Sequence, residues 1–238
     1  MNPKELVKGF FKKCGYTLIK SDFFPTSDNL AIFKQHYPNP KEFKTIIDSG
    51  ANIGQSALAY SRDFPKANIY SFEPVKDTFA ALKNNTSNCP HVHCIHKGLG
   101  PQEASLAISI NPDSQQSSLA KSDPSLPSET VQITTLDQFC QEQNIDQIDL
   151  LKTDTEGFDL EVLKGAKNLL KEGKITFILS EAGFHKHDKQ HTNFHELSRM
   201  LEGGFDYGFL GIYEPIYNGH CHLSHANALF VKNHGPLG

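Results

Sequence analysis

The chain has 238 residues, enough for one α/β domain with a substantial hydrophobic core. Its formal net charge of -4 argues against the basic surface of a protein that binds nucleic acid. The five cysteines are scattered and form no C-x-x-C pair. The sequence has no apolar run typical of a signal peptide and no apolar stretch near the roughly 18 residues of a membrane span. We therefore expect a cytoplasmic protein without a membrane span.

The N-terminal region is predicted to be helical. Apolar residues at helical spacing predict a helix over residues 3–14, and a second short helix is expected over residues 29–37. We therefore expect residues 1–40 to form a helical lid segment and residues 41–238 to form a cofactor-binding domain.

The next stretch, residues 45–74, has the pattern of a site for a cofactor that contains adenosine. A short β-branched strand ends at Asp48, Gly50 and Gly54 bracket a tight loop, and a helix is expected from residue 55 to residue 64. A second strand, residues 68–72, ends at Glu73, 19 residues after Gly54. An acidic residue at this distance is placed to accept hydrogen bonds from ribose hydroxyls.

The loop sequence D-S-G-A-N-I-G distinguishes between two classes of cofactor. It lacks the third glycine of the G-x-G-x-x-G loop that holds a pyrophosphate. The acidic Asp48 before the loop suits the ammonium of a methionine tail. We therefore predict S-adenosylmethionine, with Asp48 and the loop backbone at the amino-acid end and Glu73 at the ribose. The alternative is that Asp48 only ends a strand and the glycines form an ordinary turn.

The elements that follow predict an alternating α/β pattern. A helix is expected over residues 75–84 and a strand over 92–96, after which Lys97 and Gly98 either border the adenine or only form a turn. Strand-like runs at 105–110 and 131–134 enclose residues 111–130, a polar stretch that is either an acceptor-side flap or disordered.

A second informative stretch begins with a helix at 135–143, capped by Thr135. The strand at 148–153 leads to Asp154 and Glu156, and one helix follows. Ligands of open α/β sheets bind outside the carboxyl ends of the strands, so both acids are expected at the crevice that holds Asp48 and Glu73. Their charges require nearby cations or hydrogen-bond donors, and Lys152 is one candidate.

The C-terminal part is predicted to complete the sheet. A strand over 175–180 ends at Glu181 and should neighbour the strand that ends at Asp154. A helix over 192–201 is followed by strands at 205–212 and 228–232, which are joined by a glycine- and histidine-rich link at 213–225.

These motifs resemble the FkbM family of S-adenosylmethionine-dependent methyltransferases. The matching pieces are IDSGANIG, SFEP, TLDQF, IDLLKTDTEGFDLEVLKGA, SEAGF and NALFVK. The resemblance implies a class I methyltransferase fold, which is a Rossmann-like seven-stranded sheet, mostly parallel with one antiparallel strand and flanked by helices. It also implies O-methylation of a hydroxyl on a secondary metabolite, sugar or other small molecule. Carried over by position, the family's cofactor motifs fall on Asp48, Gly50, Asn52, Gly54 and Glu73, and its acidic pair falls on Asp154 and Glu156.

Asp154 is the predicted catalytic residue. An alcohol must lose its proton as the new bond to the methyl group forms, and a carboxylate at this position could accept it. A histidine from residues 213–225 is the other candidate for the base, and Asp154 could instead only position the cofactor or cap a helix. Two rival functions stay open: a non-catalytic protein that binds S-adenosylmethionine or its demethylated product, and a nicotinamide-dependent oxidoreductase.

A metal-assisted mechanism is a further alternative. Asp154 and Glu181 at the ends of adjacent strands could bind Mg²⁺ through carboxylate oxygens. Two groups of histidines offer nitrogen ligands: His187, His191 and His195, and His220, His222 and His225. Their spacing matches no zinc signature, so we expect exposed polar histidines and no metal site.

Overall fold

The computed structural model describes residues 33, 42–110, 126–185, 187–219 and 222–233. The two predicted N-terminal helices, apart from Phe33, and most of the predicted loop at 111–130 lie outside these residues. Within them, every helix is too short or too polar to cross a lipid bilayer.

A seven-stranded sheet forms the centre of the fold, with the strand order β3-β2-β1-β7-β8-β10-β9. The ten strands of the described residues are β1 (Thr45–Ser49), β2 (Asn68–Phe72), β3 (Val92–Ile95), β4 (Gly98–Leu99), β5 (Ala104–Ser109), β6 (Ser128–Thr134), β7 (Ile148–Thr153), β8 (Ile175–Gly183), β9 (Tyr207–Tyr217) and β10 (Leu223–Lys232). Strand β10 runs antiparallel to both of its neighbours, whereas the other pairings in this sheet are parallel. The predicted class I methyltransferase fold is therefore confirmed.

Helices cover both faces of this sheet. They are α1 (Gln55–Asp63), α2 (Lys76–Asn85), α3 (Leu136–Gln143), α4 (Asp159–Lys164), α5 (Lys167–Lys171) and α6 (Phe194–Phe205). In β1, the successive residues Ile46 and Ile47 are both fully buried but belong to different apolar clusters. Because side chains alternate between the faces of a strand, this burial places one core on each side of the sheet.

A second sheet, which the sequence did not predict, contains β4, β5 and β6. Strand β6 lies between the other two, parallel to β4 and antiparallel to β5. Its apolar face includes Ile108, Val131 and Ile133, which pack against Val75 just before α2. This small sheet therefore covers the region that follows the carboxyl end of β2.

The helix after residue 154 differs from the prediction for a structural reason. The single helix expected after residue 154 is divided into α4 and α5 at Gly165, where a Cβ would lie 2.0 Å from the carbonyl oxygen of Gly100. Asp137 then caps the second helix by accepting hydrogen bonds from the backbone N–H groups of Asn168 (2.9 Å) and Leu169 (3.0 Å).

The expected loops are also shorter than predicted. Ser128–Thr130 of the predicted loop at 111–130 belong to β6, because they pair with β5. The predicted link at 213–225 is mostly strand, since β9 extends to Tyr217 and β10 begins at Leu223. Register shifts in the β9–β10 pair interrupt the regular alternation that identifies strands in a sequence.

Candidate functional site

A cavity of about 280 Å³ lies at the carboxyl ends of β1, β2 and β7. Six of the predicted site residues line it: Gly50, Asn52, Glu73, Gly98, Asp154 and Glu156. Asp48, near the end of β1, and Gly54, at the end of the following loop, do not line the cavity, and neither does Lys97. The cavity lies where a doubly wound sheet is expected to bind its ligand.

The loop between β1 and α1 owes its shape to backbone conformations that favour glycine. Gly50 has φ +80° and Gly54 has φ +100°. A Cβ at Gly50 would lie only 1.9 Å from the carbonyl oxygen of Asp154, so this glycine allows the loop to contact the end of β7. The backbone N–H groups of Gly50 and Ala51 both donate to the carbonyl oxygen of Phe72, at 3.1 and 3.0 Å. The loop is thereby fixed to both neighbouring strands.

Glu73 is held at the cavity wall by two backbone hydrogen bonds. Its Oε2 accepts from the N–H of Asn52 at 3.0 Å, and its Oε1 accepts from the N–H of Val75 at 2.9 Å. Burial raises the pKa of Glu73 to about 7, although these two hydrogen bonds favour the charged form. Each carboxylate oxygen can accept a further hydrogen bond, so Glu73 can still bind hydroxyl groups.

Lys152 joins the ends of β1 and β7 through three contacts. Its Nζ lies 3.3 Å from Asp48 Oδ1 and 3.2 Å from Asp154 Oδ2, and it donates to the carbonyl oxygen of Gly50 at 3.2 Å. The two carboxylates raise the pKa of Lys152 despite its burial, so the ammonium stays charged. Asp48 is fully buried, and this burial raises the pKa of Asp48 against the opposing effect of Lys152. Lys152 is therefore the cation that the group of acids requires.

Asp154 is the more accessible of the two acids that contact Lys152. About 40% of its side chain is exposed, compared with none of the Asp48 side chain. Burial raises the pKa of Asp154, but the charge of Lys152 outweighs this effect and holds it below its ordinary value. Asp154 thus presents an ionised carboxylate to the cavity.

Glu181, which lies in β8 two residues before its end, is close enough to Asp154 for their charges to interact. Burial, followed by repulsion from Asp154, raises the pKa of Glu181 to about 9. Its Oε1 lies 3.7 Å from Nε2 of His191. The expectation of exposed polar histidines is wrong for His191, because only 8% of its side chain is exposed and its ring stacks on that of His225, 4.0 Å between centroids.

Sequence reasoning missed the apolar part of the cavity wall. Val75, Leu99 and Ile108 line it, and each is at least 95% buried. Leu99 and Ile108 reach the cavity because β4 and β5 belong to the small sheet, which the sequence did not predict. The alternating run at 105–110 was the available signal, but it does not reveal which surface its apolar face covers.

The residues of the cavity fit a nucleoside joined to an amino acid. Glu73 offers acceptors for ribose hydroxyls, and the apolar wall suits the face of a purine. The hydroxyl oxygen of Ser49, which also lines the cavity, is buried and has no hydrogen-bond partner among the described residues. Buried polar groups are normally hydrogen-bonded, so this hydroxyl can bind a polar group of a ligand.

Comparison with known proteins gives a family match over most of the chain. The model of the methyltransferase FkbM domain matches residues 48–210. "Methyltransferase 1" of Beauveria bassiana is 32% identical over 142 residues, which cover 50% of this chain and 57% of that protein. The hexuronic acid methyltransferase AglP of Haloferax volcanii is 30% identical over 143 residues, which cover 60% of this chain and 58% of AglP. The chain therefore spans less than two thirds of the length of these relatives.

Among solved structures, a fibrillarin/Nop5p complex contains a chain of similar fold. It has a TM-score of 0.50 and 12% sequence identity, with 87% of this chain and 81% of that chain covered. At this level of identity, the likeness supports the fold alone.

Proposed function

Because the chain belongs to the FkbM family of methyltransferases, we propose that it transfers a methyl group from S-adenosylmethionine to a hydroxyl oxygen of a sugar or another small molecule. Membership of this family confirms S-adenosylmethionine as the predicted cofactor. When bound, this cofactor supplies a methyl group on a positively charged sulfur. The observation that carries the proposal is the cavity at the carboxyl ends of β1, β2 and β7, where Glu73 and Asp154 lie at its wall.

We assign the nucleoside half of the cofactor to the side of the cavity near β2. Glu73 would accept hydrogen bonds from the ribose hydroxyls, and two backbone N–H groups already fix the orientation of its carboxylate. Val75, Leu99 and Ile108 would contact the adenine, with Gly98 beside them. Asn52, whose backbone N–H holds Glu73, would act through that carboxylate.

The amino-acid half of the cofactor would lie near the end of β7. The hydroxyls of Ser49 and Thr155 and the carboxylates of Asp154 and Glu156 line this side of the cavity. Asp48 lies behind Lys152, so we replace its predicted direct contact with the ammonium by a positioning role. In that role Asp48 holds Lys152, and Lys152 in turn holds Asp154 and the carbonyl group of Gly50.

Asp154 is the residue we propose to accept the proton of the acceptor hydroxyl. It lines the cavity, is partly exposed, and is fixed by Lys152 at 3.2 Å. A positioned carboxylate can remove the proton as the oxygen attacks, while alignment of the acceptor with the methyl group supplies much of the rate. A histidine from residues 213–225 stays the second candidate for this role.

The acceptor class is supported by the name of one relative. AglP is a hexuronic acid methyltransferase, and a hexuronic acid is a sugar with several hydroxyl groups and one carboxylate. We propose a related acceptor for this chain, with a hydroxyl rather than the carboxylate as the methylated group. The acidic side chains of Asp154 and Glu156 at the cavity favour this choice, because they would repel an anionic acceptor group.

The experiment is a transfer assay with the full chain and S-adenosylmethionine that carries an isotopically labelled methyl group. The acceptors are neutral sugars, glucuronic acid, galacturonic acid and small alcohols of secondary-metabolite type. We expect a labelled methyl ether, which withstands alkaline hydrolysis. A label that alkali releases would indicate a methyl ester and overturn the hydroxyl preference. Cofactor binding without transfer to any acceptor would favour the non-catalytic alternative.

A further inference from the structure

We infer that Glu181, His191 and His225 form a binding site for one divalent transition-metal ion beside Asp154. The ion would be of the Zn²⁺ or Fe²⁺ type. Its binding does not depend on the proposed function, whereas a role in polarising the acceptor oxygen rests on it. The site lies outside the set of residues that the sequence predicted for the cofactor.

The three side chains come from separate parts of the chain and converge at one end of the large sheet. Strands β8 and β10 are antiparallel, and His225 pairs with Gly183. Glu181 lies two residues before Gly183, so Glu181 and His225 are diagonal neighbours on one face of the sheet. The segment that contains His191 folds back onto the same strand end, where the N–H of Gly183 donates to the carbonyl oxygen of Thr192 at 2.8 Å.

The distances are close to those of a metal site. One ligand atom from each of the three residues can be chosen so that all three lie within 4.8 Å of one another. His191 Nε2 and Glu181 Oε1 are already 3.7 Å apart. Ligands about 2.0–2.1 Å from one tetrahedral ion are roughly 3.4 Å apart. The ligand atoms would therefore move closer, and the rings of His191 and His225, which stack at an interplanar angle of 16°, would turn until both nitrogens point at the ion.

A carboxylate behind His191 fixes the direction of its ring. Asp188 Oδ2 lies 2.8 Å from His191 Nδ1, which leaves Nε2 directed towards Glu181. A metal-binding histidine almost always uses its second ring nitrogen in this way. Gly183 makes room for the arrangement, because a Cβ there would lie 2.6 Å from Asp188 Oδ2 and 3.2 Å from the Cβ of His191.

Glu181 can offer a carboxylate oxygen to the ion. Its Oε2 is buried, and the Glu181 carboxyl is hydrogen-bonded to Asp154, so an ion bound here would displace a proton from Glu181. Two imidazole nitrogens and one carboxylate oxygen are the ligands of many Zn²⁺ and Fe²⁺ sites, whereas Mg²⁺ prefers oxygen ligands alone. The proposed ion therefore differs from the Mg²⁺ considered for Asp154 and Glu181, which would be bound by carboxylate oxygens.

Metal titration of the chelator-treated full chain tests the site without any methyl acceptor. We expect one Zn²⁺ per chain by calorimetry, and one Co²⁺ per chain with a visible absorption band typical of histidine-bound cobalt. His191→Ala and His225→Ala should abolish both signals. Asp188→Asn should weaken binding by roughly 10- to 100-fold, since it supports the ring of His191 without contacting the ion.

Two exposed histidines on the same segments provide matched controls. His187→Ala and His222→Ala should bind both ions as the original chain does. Circular dichroism checks that each variant folds. If His225→Ala does not fold, His225→Gln takes its place. The inference is overturned if the original chain binds no stoichiometric ion, or if folded His191 and His225 variants bind as the controls do. Metal binding without methyl transfer would leave this site standing and contradict only the proposed function.

Discussion

Lys152 Nζ lies 3.3 Å from Oδ1 of Asp48, a carboxylate with no solvent exposure, and thereby connects the adjacent strands β1 and β7 beneath the cavity. The same ammonium lies 3.2 Å from the partly exposed Asp154. One buried cation thus supports both a structural carboxylate and the carboxylate proposed to act on the acceptor. Residues proposed to act at the cavity and residues that hold the sheet together are therefore linked at this point.

Removal of this cation should destabilise the fold. Lys152→Met leaves Asp48 buried without its partner, and breaking a buried ion pair in this way typically costs about 3–5 kcal/mol. The double variant Asp48→Asn with Lys152→Met should recover part of that loss, because no buried charge is then left alone. Urea denaturation gives the free energies of unfolding. Lys174→Met, at an exposed pair with Glu172, should change them little. If Lys152→Met were as stable as the original chain, the ion pair of Asp48 with Lys152 would contribute nothing to the free energy of unfolding.

The pH dependence of stability should report the burial of Glu73. Burial raises its pKa from 4.5 to about 7, so the folded chain holds this proton more tightly than the unfolded chain does. The contribution of Glu73 to stability is then fully present below pH 4.5 and is lost as the pH rises to about 7. At about 1.4 kcal/mol per pKa unit, the loss is at most roughly 3.5 kcal/mol.

Urea denaturation without cofactor, compared between the original chain and Glu73→Gln at several pH values, measures this contribution. The difference in the free energy of unfolding between the two proteins should change across the interval from pH 4.5 to 7. Parallel curves for the two proteins would mean that Glu73 titrates normally.

Gly50 should be irreplaceable for a reason that concerns the fold rather than the ligand. In Gly50→Ala the new Cβ would meet the carbonyl oxygen of Asp154 at 1.9 Å, and the backbone at this position has φ +80°. We expect a loss of stability of at least about 1–3 kcal/mol from the backbone conformation alone. Gly203, in α6, has no atom within 4 Å of an added Cβ. Gly203→Ala should therefore stabilise the helix by roughly 0.5–1 kcal/mol. A Gly50→Ala variant as stable as the original chain would contradict the described loop.

Much of this fold follows from the sequence because its strands are short, buried and bounded by clear signals. Strand β2 was predicted with its observed limits, and β7 ends at Thr153 as expected. Glu73 and Asp154 were placed at the crevice because each follows such a strand. Local patterns of this kind depend on few neighbours, so the sequence reveals them.

Other features depend on contacts between distant residues, which local patterns do not encode. The burial of Asp48 behind Lys152 follows from the register of β1 and β7, in which these two residues are partners. The break at Gly165 follows from the close approach of Gly100. His191 and His225 are 34 positions apart in the sequence. The pairing of β8 with β10 and the return of the segment that contains His191 to Gly183 bring them together.

The proposed base should be separable from cofactor binding. Asp154→Asn removes the proton acceptor but keeps a side chain of the same size, so turnover should fall by about 10²- to 10⁴-fold. The affinity for S-adenosylhomocysteine should change by only a few fold, at an energy of about 1 kcal/mol. Turnover and calorimetric affinity are measured on the same preparation, with the exposed Glu103→Gln as the control. A matching loss of both quantities would exclude the base and leave a positioning role for Asp154.

Calorimetric titration of the full chain with S-adenosylmethionine tests the central claim most directly, that the cavity beside Glu73 holds this cofactor. We expect one molecule bound per chain and no heat with NAD. Glu73→Gln should reduce the affinity about 10- to 100-fold through loss of hydrogen bonds to a charged group. The control Asp77→Asn, at an exposed neighbouring position, should bind as the original chain does. Binding of NAD instead, or no heat with S-adenosylmethionine or S-adenosylhomocysteine, would contradict the account.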